Sequence, residues 1–375
     1  MAESIPQFTL ARQHAVLQRE LEDAARRVLV SGRYVQGPEV AALEAELSVA
    51  LGLPHVVACA NGTDALHLAL RAVGIGPGDV VLTTPFTFFA TIGAVLLTGA
   101  RVEFADIDSA TFLLDPAALA AALRRPRRER LAALLPVHLY GRMAAMPAIL
   151  ELAAAAGVPV VEDAAQAIGA RLAAPGGAIA AGGWGACGAI SFYPTKNLGG
   201  CGEAGCVVTG DAALAERLRE LRSHGSPRRY LHDRLGWNAR MDELQAALLR
   251  VKLPHLAAWN DKRRALAAAY DAALAAAGCP LVLPARSPDH VFHQYTVRAP
   301  RRDELRAFLQ AEGIGAEVYY PIAAHRQPAL AGASFSGLPH AERAAAEVLS
   351  LPMFPELAAA EIERVAAAVA RFYSL

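Results

Sequence analysis

The sequence predicts an α/β fold: a large domain on a mostly parallel sheet flanked by helices, followed by a smaller α+β domain. Three observations lead there. From His55 to Val161 short apolar runs alternate with helical patterns, and strand–helix alternation is the mark of a parallel sheet. The runs are apolar almost throughout, as in Val80–Thr83 and Leu131–Val137, which is what strands covered on both faces require. At 375 residues the chain exceeds the usual size of a single core, and its texture changes after Pro254. The expected division places residues 1–253 in the large domain and 254–375 in the small one.

His14–Val30 carries apolar residues at helical spacing (Val16, Leu17, Leu21, Ala24, Ala25, Val28) and stops at Ser31-Gly32, a glycine stop of the kind that ends helices. Glu39–Leu51 repeats the pattern after Gly37-Pro38, and His55–Ala60 reads as a strand leading through Asn61-Gly62-Thr63-Asp64 into a helix over Ala65–Val73. The rhythm continues with strand Val80–Thr83, a helix near Thr87–Leu97, strand Val102–Phe104, helix Pro116–Leu123 and strand Leu131–Val137. Helix Pro147–Ala156 and strand Val158–Val161 follow, then strands Ala189–Phe192 and Gly205–Thr209 and helix Ala212–Ser223. Met241–Leu253 and His255–Ala277 form one helical stretch broken at Pro254, a passage between domains. Beyond it lie strand Phe292–Arg298, helix Asp303–Glu312, strand Ile314–Val318 and helices over Ala341–Leu349 and Leu357–Phe372.

Composition narrows the function classes. Hydrophobic residues make up 54% and charged residues 19%, which excludes disorder. The formal net charge is zero, so no basic field points to nucleic acid or an anionic membrane. The densest basic run, Arg124, Arg125, Arg127, Arg128 and Arg130, reads as a solvated loop between helix and strand. No stretch reaches the ~18 apolar residues a membrane span needs, and Met1–Leu10 lacks the basic-then-apolar pattern of a signal peptide. The five cysteines form no C-x-x-C pair, and no paired histidines stand near Cys201 and Cys206, so no metal site is expected. A cytoplasmic enzyme is the default expectation.

Four features converge on one chemistry. Ser191 to Gly200 runs from a short strand into a Pro194-broken turn that presents Lys196 among Phe192, Tyr193 and Leu198; desolvation there lowers a lysine pKa toward the nucleophilic amine. Gly62-Thr63-Asp64 opens a helix after a strand, where free N–H groups and the helix dipole favour an anion. The carboxylate of Asp64 is expected to turn away from such an anion. Strand Val158–Val161 delivers Glu162 and Asp163 to the ligand edge of the sheet, 33 positions before Lys196. A carboxylate after a buried strand calls for a cation. Pro85-Phe86-Thr87-Phe88-Phe89 offers an aromatic ring on the same edge, and Ser191 can donate to a phosphate. An amine, an acid for a ring nitrogen, a stacking ring and a phosphate cup together specify pyridoxal 5′-phosphate.

The chain also resembles the DegT/StrS-type nucleotide-sugar aminotransferases over nearly its whole length. Val161-Glu162-Asp163-Ala164-Ala165-Gln166, Ser191-Phe192-Tyr193-Pro194-Thr195-Lys196-Asn197-Leu198-Gly199 and Gly236-Trp237-Asn238-Ala239-Arg240-Met241-Asp242-Glu243-Leu244-Gln245 carry the likeness. Asn61-Gly62-Thr63-Asp64-Ala65-Leu66, Pro136-Val137-His138-Leu139-Tyr140-Gly141 and Tyr319-Tyr320-Pro321 with His325 agree. The resemblance implies the aspartate aminotransferase-like fold (fold type I of the pyridoxal phosphate enzymes) and a homodimer with shared active sites. By the same implication Lys196 forms the internal aldimine and moves the proton, Asp163 pairs with the ring nitrogen, and Gln166 bonds the ring hydroxyl. Phe88 stacks on the ring, with Phe89 as the alternative. Gly62, Thr63 and Ser191 hold the phosphate, Asn238 reaches in from the partner subunit, and Tyr319 and His325 face the sugar. L-glutamate donates the amino group, leaving the pyridoxamine form, and a keto-sugar linked to UDP or dTDP accepts it.

Competing readings are few. Gly183-Trp184-Gly185-Ala186-Cys187-Gly188 satisfies the dinucleotide-binding G-x-G-x-x-G pattern, but no strand is expected before it and a strand, not a helix, after it. A dehydratase of the same family would hold histidine at the position of Lys196. A non-catalytic regulatory protein on the same scaffold is disfavoured by the intact Asp163, Gln166 and Lys196. The run from Leu235 to Gln245 is closer to family members that aminate sugar C3 than to those acting at C4.

Overall fold

The structure is a computed structural model that describes residues 4–331, 335 and 337–374. Residues 1–3 of the N-terminal stretch considered as a signal peptide lie outside them. Helices α1 (Ala11–Ser31) and α2 (Pro38–Leu51) come first, then β1 (His55–Cys59), α3 (Gly62–Ala72), β2 (Asp79–Thr83), α4 (Phe89–Leu97) and β3 (Arg101–Phe104). They are followed by α5 (Pro116–Leu123), β4 (Arg130–Leu135), α6 (Met146–Ala156), β5 (Val161–Asp163), β6 (Arg171–Ala174), β7 (Gly177–Ala180), β8 (Cys187–Ser191) and β9 (Gly205–Thr209). The chain continues through α7 (Ala212–Leu221), α8 (Glu243–Lys252) and α9 (Leu256–Ala276). It ends with β10 (Tyr295–Arg298), α10 (Arg302–Ala311), α11 (Pro339–Glu347), β11 (Val348–Leu351) and α12 (Ala359–Ser374).

Strands β1-β9-β8-β5 form one ladder and β3-β2-β4 another. Two parallel bridges, Leu134 to Val160 and Val137 to Asp163, join β4 to β5 across them. Only β9 runs against its neighbours in the resulting seven-strand order; the pairs β2–β3, β2–β4 and β5–β8 are parallel. The strands are buried on both sides, and successive residues alternate between two cores, as a period of two demands. Leu82, Leu134, Ile190 and Val208 pack on one face, and Val81, Leu135, Ala189 and Val207 on the other.

A third core gathers Tyr270, Leu274, Tyr295, Leu305, Leu349, Val365 and Phe372, and Ile5 from the N-terminus joins it. Helix α9 bridges the cores. Its Leu256 and Trp259 belong to the sheet's core, while Ala267, Tyr270 and Leu274 belong to the third. The α2 N-terminus is closed by a distant residue: the buried carboxylate of Glu243 accepts from the amides of Gly37 (2.7 Å), Glu39 (2.8 Å) and Val40 (3.1 Å), satisfying orphan donors and the helix dipole together.

Five local expectations are corrected. Strand β5 begins at Val161 rather than Val158, because the Val158 amide closes α6 on the Ala153 carbonyl and Pro159 has no N–H to give to a ladder. The hairpin β6–β7 has no counterpart among the expected strands, because its short Ala- and Gly-rich strands carry little apolar signal. Phe292, at φ 44°, keeps strand β10 from starting before Tyr295. Residues Ile314–Val318 are no continuous strand: Ile314 bridges to Ile5 and Glu317 to Ser350, so no single neighbour can extend a ladder. Helix α11 stops at Glu347, and Val348 and Leu349 enter β11 opposite Arg298 and Val297. The arginine run, read as a solvated loop, is partly tied down as well. Arg127 bonds Glu103 at 2.9 Å and Arg130 bonds Asp79 at 2.9 Å.

Candidate active site

The parallel strands β1, β2, β5 and β8 all point their carboxyl ends at one edge, where α/β sheets bind ligands. Asp163 ends β5, Ser191 ends β8, Gly62 opens α3 behind β1, and Phe88 precedes α4 behind β2. Proximity here is a consequence of strand direction.

Asp163 is buried at 5% exposure. One oxygen accepts from the Thr91 hydroxyl at 2.7 Å and the other from the Ala165 amide at 3.2 Å. Thr91 in turn lies 2.8 Å from the Thr87 hydroxyl. Burial pushes the Asp163 carboxyl above its ordinary range, against the pull of the Thr91 bond and the more distant Lys196 and His138. It has no cation in hydrogen-bond contact among the described residues.

Lys196 sits in a turn closed by its own amide on the Tyr193 carbonyl (2.8 Å) and by the Gly200 amide on the Phe192 carbonyl (2.7 Å). The side chain is half-buried. Loss of water lowers its pKa from 10.5 to about 8, with Asp163 working in the opposite direction. Its neighbour Asn197 donates to Asn260 at 2.7 Å and to the Val291 carbonyl at 3.0 Å, fastening the turn to α9.

At the head of α3, Asn61 caps the helix through the Asp64 amide (2.8 Å), leaving the Gly62 and Thr63 amides at its open end. A side chain on Gly62 would stand 2.7 Å from Ser191 Cβ and 2.9 Å from its Oγ, so only glycine lets the two come together. The Asp64 carboxylate is indeed turned aside, bonded to Asn61 Nδ2 and to the Trp237 indole, each at 2.8 Å.

Gln166 accepts from the Tyr140 amide at 2.7 Å and donates to the Tyr320 hydroxyl at 3.1 Å. The Tyr320 ring lies 5.8 Å from that of Phe88, and its hydroxyl is within electrostatic reach of Asp163. Phe88 is 57% exposed, whereas Phe89 packs on the core; of the two rings, Phe88 is the one open to the cleft.

Three predicted residues stand outside this group. Tyr319 meets it through its carbonyl, which accepts from the Tyr140 hydroxyl. His325 is buried with Nε2 2.9 Å from Glu342 and its ring edge-on to Phe104. Asn238 is exposed and holds Arg240 at 2.9 Å. Conversely, sequence reasoning missed Thr91, Tyr140, Tyr320 and His293. The last is buried with an unpartnered Nδ1; burial first, then Lys196 and Arg263, hold its pKa well below the ordinary value. Tyr320 was visible in the Tyr-Tyr-Pro motif, but nothing in it separated the two tyrosines.

The G-x-G-x-x-G stretch also receives a role. Strand β7 does precede it, contrary to expectation, and its loop wraps a carboxylate rather than a dinucleotide. Glu162, fully buried, accepts from the amides of Trp184 (2.6 Å), Gly185 (2.7 Å) and Gly182 (2.9 Å), and lies 2.8 Å from His138 Nε2. Both oxygens face donors, so Glu162→Gln must turn an NH2 toward at least one of them. Unfolding in urea should show a loss of about 3 kcal/mol; an unchanged midpoint would contradict this account.

These residues fit pyridoxal phosphate. A buried carboxylate lacks a bonded cation, a desolvated amine has no hydrogen-bond partner among the described residues, and open amides face a serine at a helix head. The cofactor offers a ring N–H, an aldehyde and a phosphate to match.

A family profile described as the DegT/DnrJ/EryC1/StrS aminotransferase family matches residues 16–370. The chain is 46% identical to a "pleiotropic regulatory protein" of Geobacillus stearothermophilus, over 99% of both chains. It is 45% identical, over 98% of both, to the UDP-N-acetyl-3-dehydro-alpha-D-glucosamine 3-aminotransferase of Acidithiobacillus ferrooxidans. To the dTDP-3-amino-3,4,6-trideoxy-alpha-D-glucose transaminase of Streptomyces venezuelae it is 47% identical, covering 97% of this chain and 95% of that one. Among solved structures, S. venezuelae DesV in complex with a ketimine intermediate superposes with a TM-score of 0.93 at 46% identity, over the whole of both chains. The Bacillus subtilis NtdA structure with bound cofactor PMP gives 0.88 at 30% identity, covering 99% of this chain and 86% of that one.

Proposed function

Because the chain belongs to the DegT/DnrJ/EryC1/StrS aminotransferase family, we propose that it moves the amino group of L-glutamate to the C3 keto group of a UDP- or dTDP-linked sugar. The observation that carries this reading is the meeting of Lys196, Asp163 and the Gly62–Ser191 cup at one sheet edge. The C3 position draws its support from relatives whose names specify 3-amino or 3-dehydro sugars. A regulatory name on one relative favours a second, non-catalytic reading, against which the complete lysine–aspartate set stands.

When bound, pyridoxal phosphate supplies an electron sink for the α-carbon of the amino acid. Asp163 keeps a proton on the ring nitrogen, which a buried, cation-seeking carboxylate does well. Lys196, with a pKa of about 8, has a useful free-base fraction near neutral pH and can take a proton from the reacting carbon and return it. Gly62, Thr63 and Ser191 hold the phosphate, Gln166 the ring hydroxyl, and Phe88 covers the ring face. Tyr319 and His325 are assigned to the sugar side on the family likeness alone, since His325 is buried against Phe104 and Glu342 within this subunit. Asn238 completes the phosphate cup of a second subunit; the exposed Val16 and Val30 on α1, at 77% and 80%, suit burial in a homodimer. No helix among the described residues is long and apolar enough to cross a membrane. A cytoplasmic location fits substrates that are charged and do not cross membranes unaided.

The test is incubation with glutamate and a panel of 3-keto and 4-keto sugars on UDP and dTDP. Amino sugar and 2-oxoglutarate are expected from the 3-keto members. Product from 4-keto sugars alone would remove the C3 assignment, and no product from any, with no cofactor bound, would remove the enzyme.

A further inference from the structure

Helix α8 carries a second lysine that the reaction as derived does not use. Lys252 has no exposed surface. Its ammonium donates to the Gly199 carbonyl at 2.9 Å and stands 3.0 Å from His14 Nε2 on α1. Neither partner is an anion. Burying an ammonium against neutral groups costs free energy, and a methionine would fill much the same volume without that cost. Desolvation accordingly lowers the pKa of Lys252, and burial with Lys252 lowers that of His14, leaving an imidazole suited to accept.

What the ammonium grips is the exit of the Lys196 turn. Gly199 crosses so closely over the entry that a Cβ there would lie 2.2 Å from the Pro194 carbonyl oxygen. The turn from Pro194 to Gly199 is therefore closed on itself, and fixing the Gly199 carbonyl fixes both limbs. Seven residues before Lys252, on the same face of α8, Gln245 accepts from the Cys201 amide at 2.9 Å. The middle of the turn, just after Lys196, is held by the bond from Asn197 to Asn260 on α9; the exit depends on α8.

We propose that Lys252 is a positioning residue for the reaction: through the Gly199 carbonyl it holds the turn that aims the Lys196 amine. The proposal rests on the aminotransferase reading only in naming Lys196 as the reacting amine. Its role is indirect, since Lys252 touches neither substrate nor cofactor in this scheme.

The test compares full-length wild type with Lys252→Met, both loaded with pyridoxal phosphate. Three quantities are read: the pH midpoint of the visible band of lysine-bound cofactor, kcat and KM for glutamate, and the urea midpoint. Lys252→Met is expected to lose roughly 10- to 100-fold in kcat, the scale of a mis-aimed reacting group, with KM within about twofold. The band's midpoint should shift while the urea midpoint holds or rises. Lys252→Gln, whose amide is one bond shorter but still a donor, should recover part of kcat, and it carries the comparison if Lys252→Met does not fold. Wild-type kcat and band midpoint in the variant, whatever its stability, would overturn the proposal. A wild-type protein that forms no visible band would overturn the aminotransferase reading itself, and this inference with it.

Discussion

Lys196→Ala is expected to lower amino transfer by at least about 10³-fold, the upper part of the range for loss of a positioned acid–base group, and to abolish the visible band of lysine-bound cofactor. Size and direction follow from one local fact. Lys196 lies on the ligand edge within the field of Asp163, and burial brings its pKa to about 8. A water-filled cavity in its place supplies neither a covalent anchor nor a poised base. The same depression has a measurable consequence in protein stripped of cofactor. Between pH 8 and 10.5 the unfolded chain holds the lysine proton while the folded chain has released it. Stability therefore rises with pH across that window. Put the other way, the burial penalty is full below about 8 and gone above 10.5. Lys196→Met should lack this rise, so the two stability curves should converge toward high pH. Retention of the visible band in Lys196→Ala would remove the lysine from its assigned place, whatever the activity.

The parts of this site legible in the sequence are those built from contiguous residues. Lys196 announced itself through Pro194 and the glycines after it, and Gly62 through a strand-to-helix junction. Asp163 stood out as a carboxylate following an apolar strand. Strand order then brought them together with no further information, because parallel strands share a carboxyl edge. Thr91 and Tyr320 are different. The Thr91–Asp163 bond spans 72 positions and the Gln166–Tyr320 bond 154, and neither residue differs locally from its neighbours. The choice between Phe88 and Phe89 also needed the fold, since a helix start places one ring on the core and the other in the cleft. Glu162 was legible only as a companion of Asp163. That it is a structural carboxylate held by the loop from Gly182 to Gly185 required seeing a hairpin whose small, half-exposed residues gave no strand signal. In the sequence Lys252 is one residue of a helical pattern, and its two partners lie 53 and 238 positions away. Short-range chemistry writes itself into sequence; long-range hydrogen bonds do not.

Asp163→Asn is expected to separate stability from activity. At neutral pH the wild-type protein without cofactor buries a carboxylate whose hydrogen-bond partners are a hydroxyl and an amide. Burial raises its pKa above 3.8, so the folded state disfavours the charged form. That penalty is fully present above the raised pKa and vanishes only below 3.8, where the group is neutral in both states. Asparagine is nearly isosteric, carries no charge and can keep both contacts: its oxygen accepts from the Ala165 amide while its NH2 donates to the Thr91 hydroxyl, which can turn its own proton to Thr87. The stripped Asp163→Asn protein should therefore be as stable as wild type or more so at pH 7. With pyridoxal phosphate bound the order reverses, because the ring nitrogen loses the anion that holds its proton. Leaving one member of a buried pair alone costs about 3–5 kcal/mol, or roughly 10²- to 10⁴-fold in rate at ~1.4 kcal/mol per factor of ten. The fall should appear mainly in kcat, since a ring nitrogen without its proton would be a weaker electron sink for the reacting carbon. Parallel urea unfolding of stripped protein and single-turnover kinetics with glutamate read both halves. A variant that is less stable when stripped yet keeps wild-type turnover would mean that Asp163 serves the fold and that the ring nitrogen finds its partner elsewhere. A variant at least as stable and far slower would identify a residue whose burial the fold tolerates for the chemistry it supports.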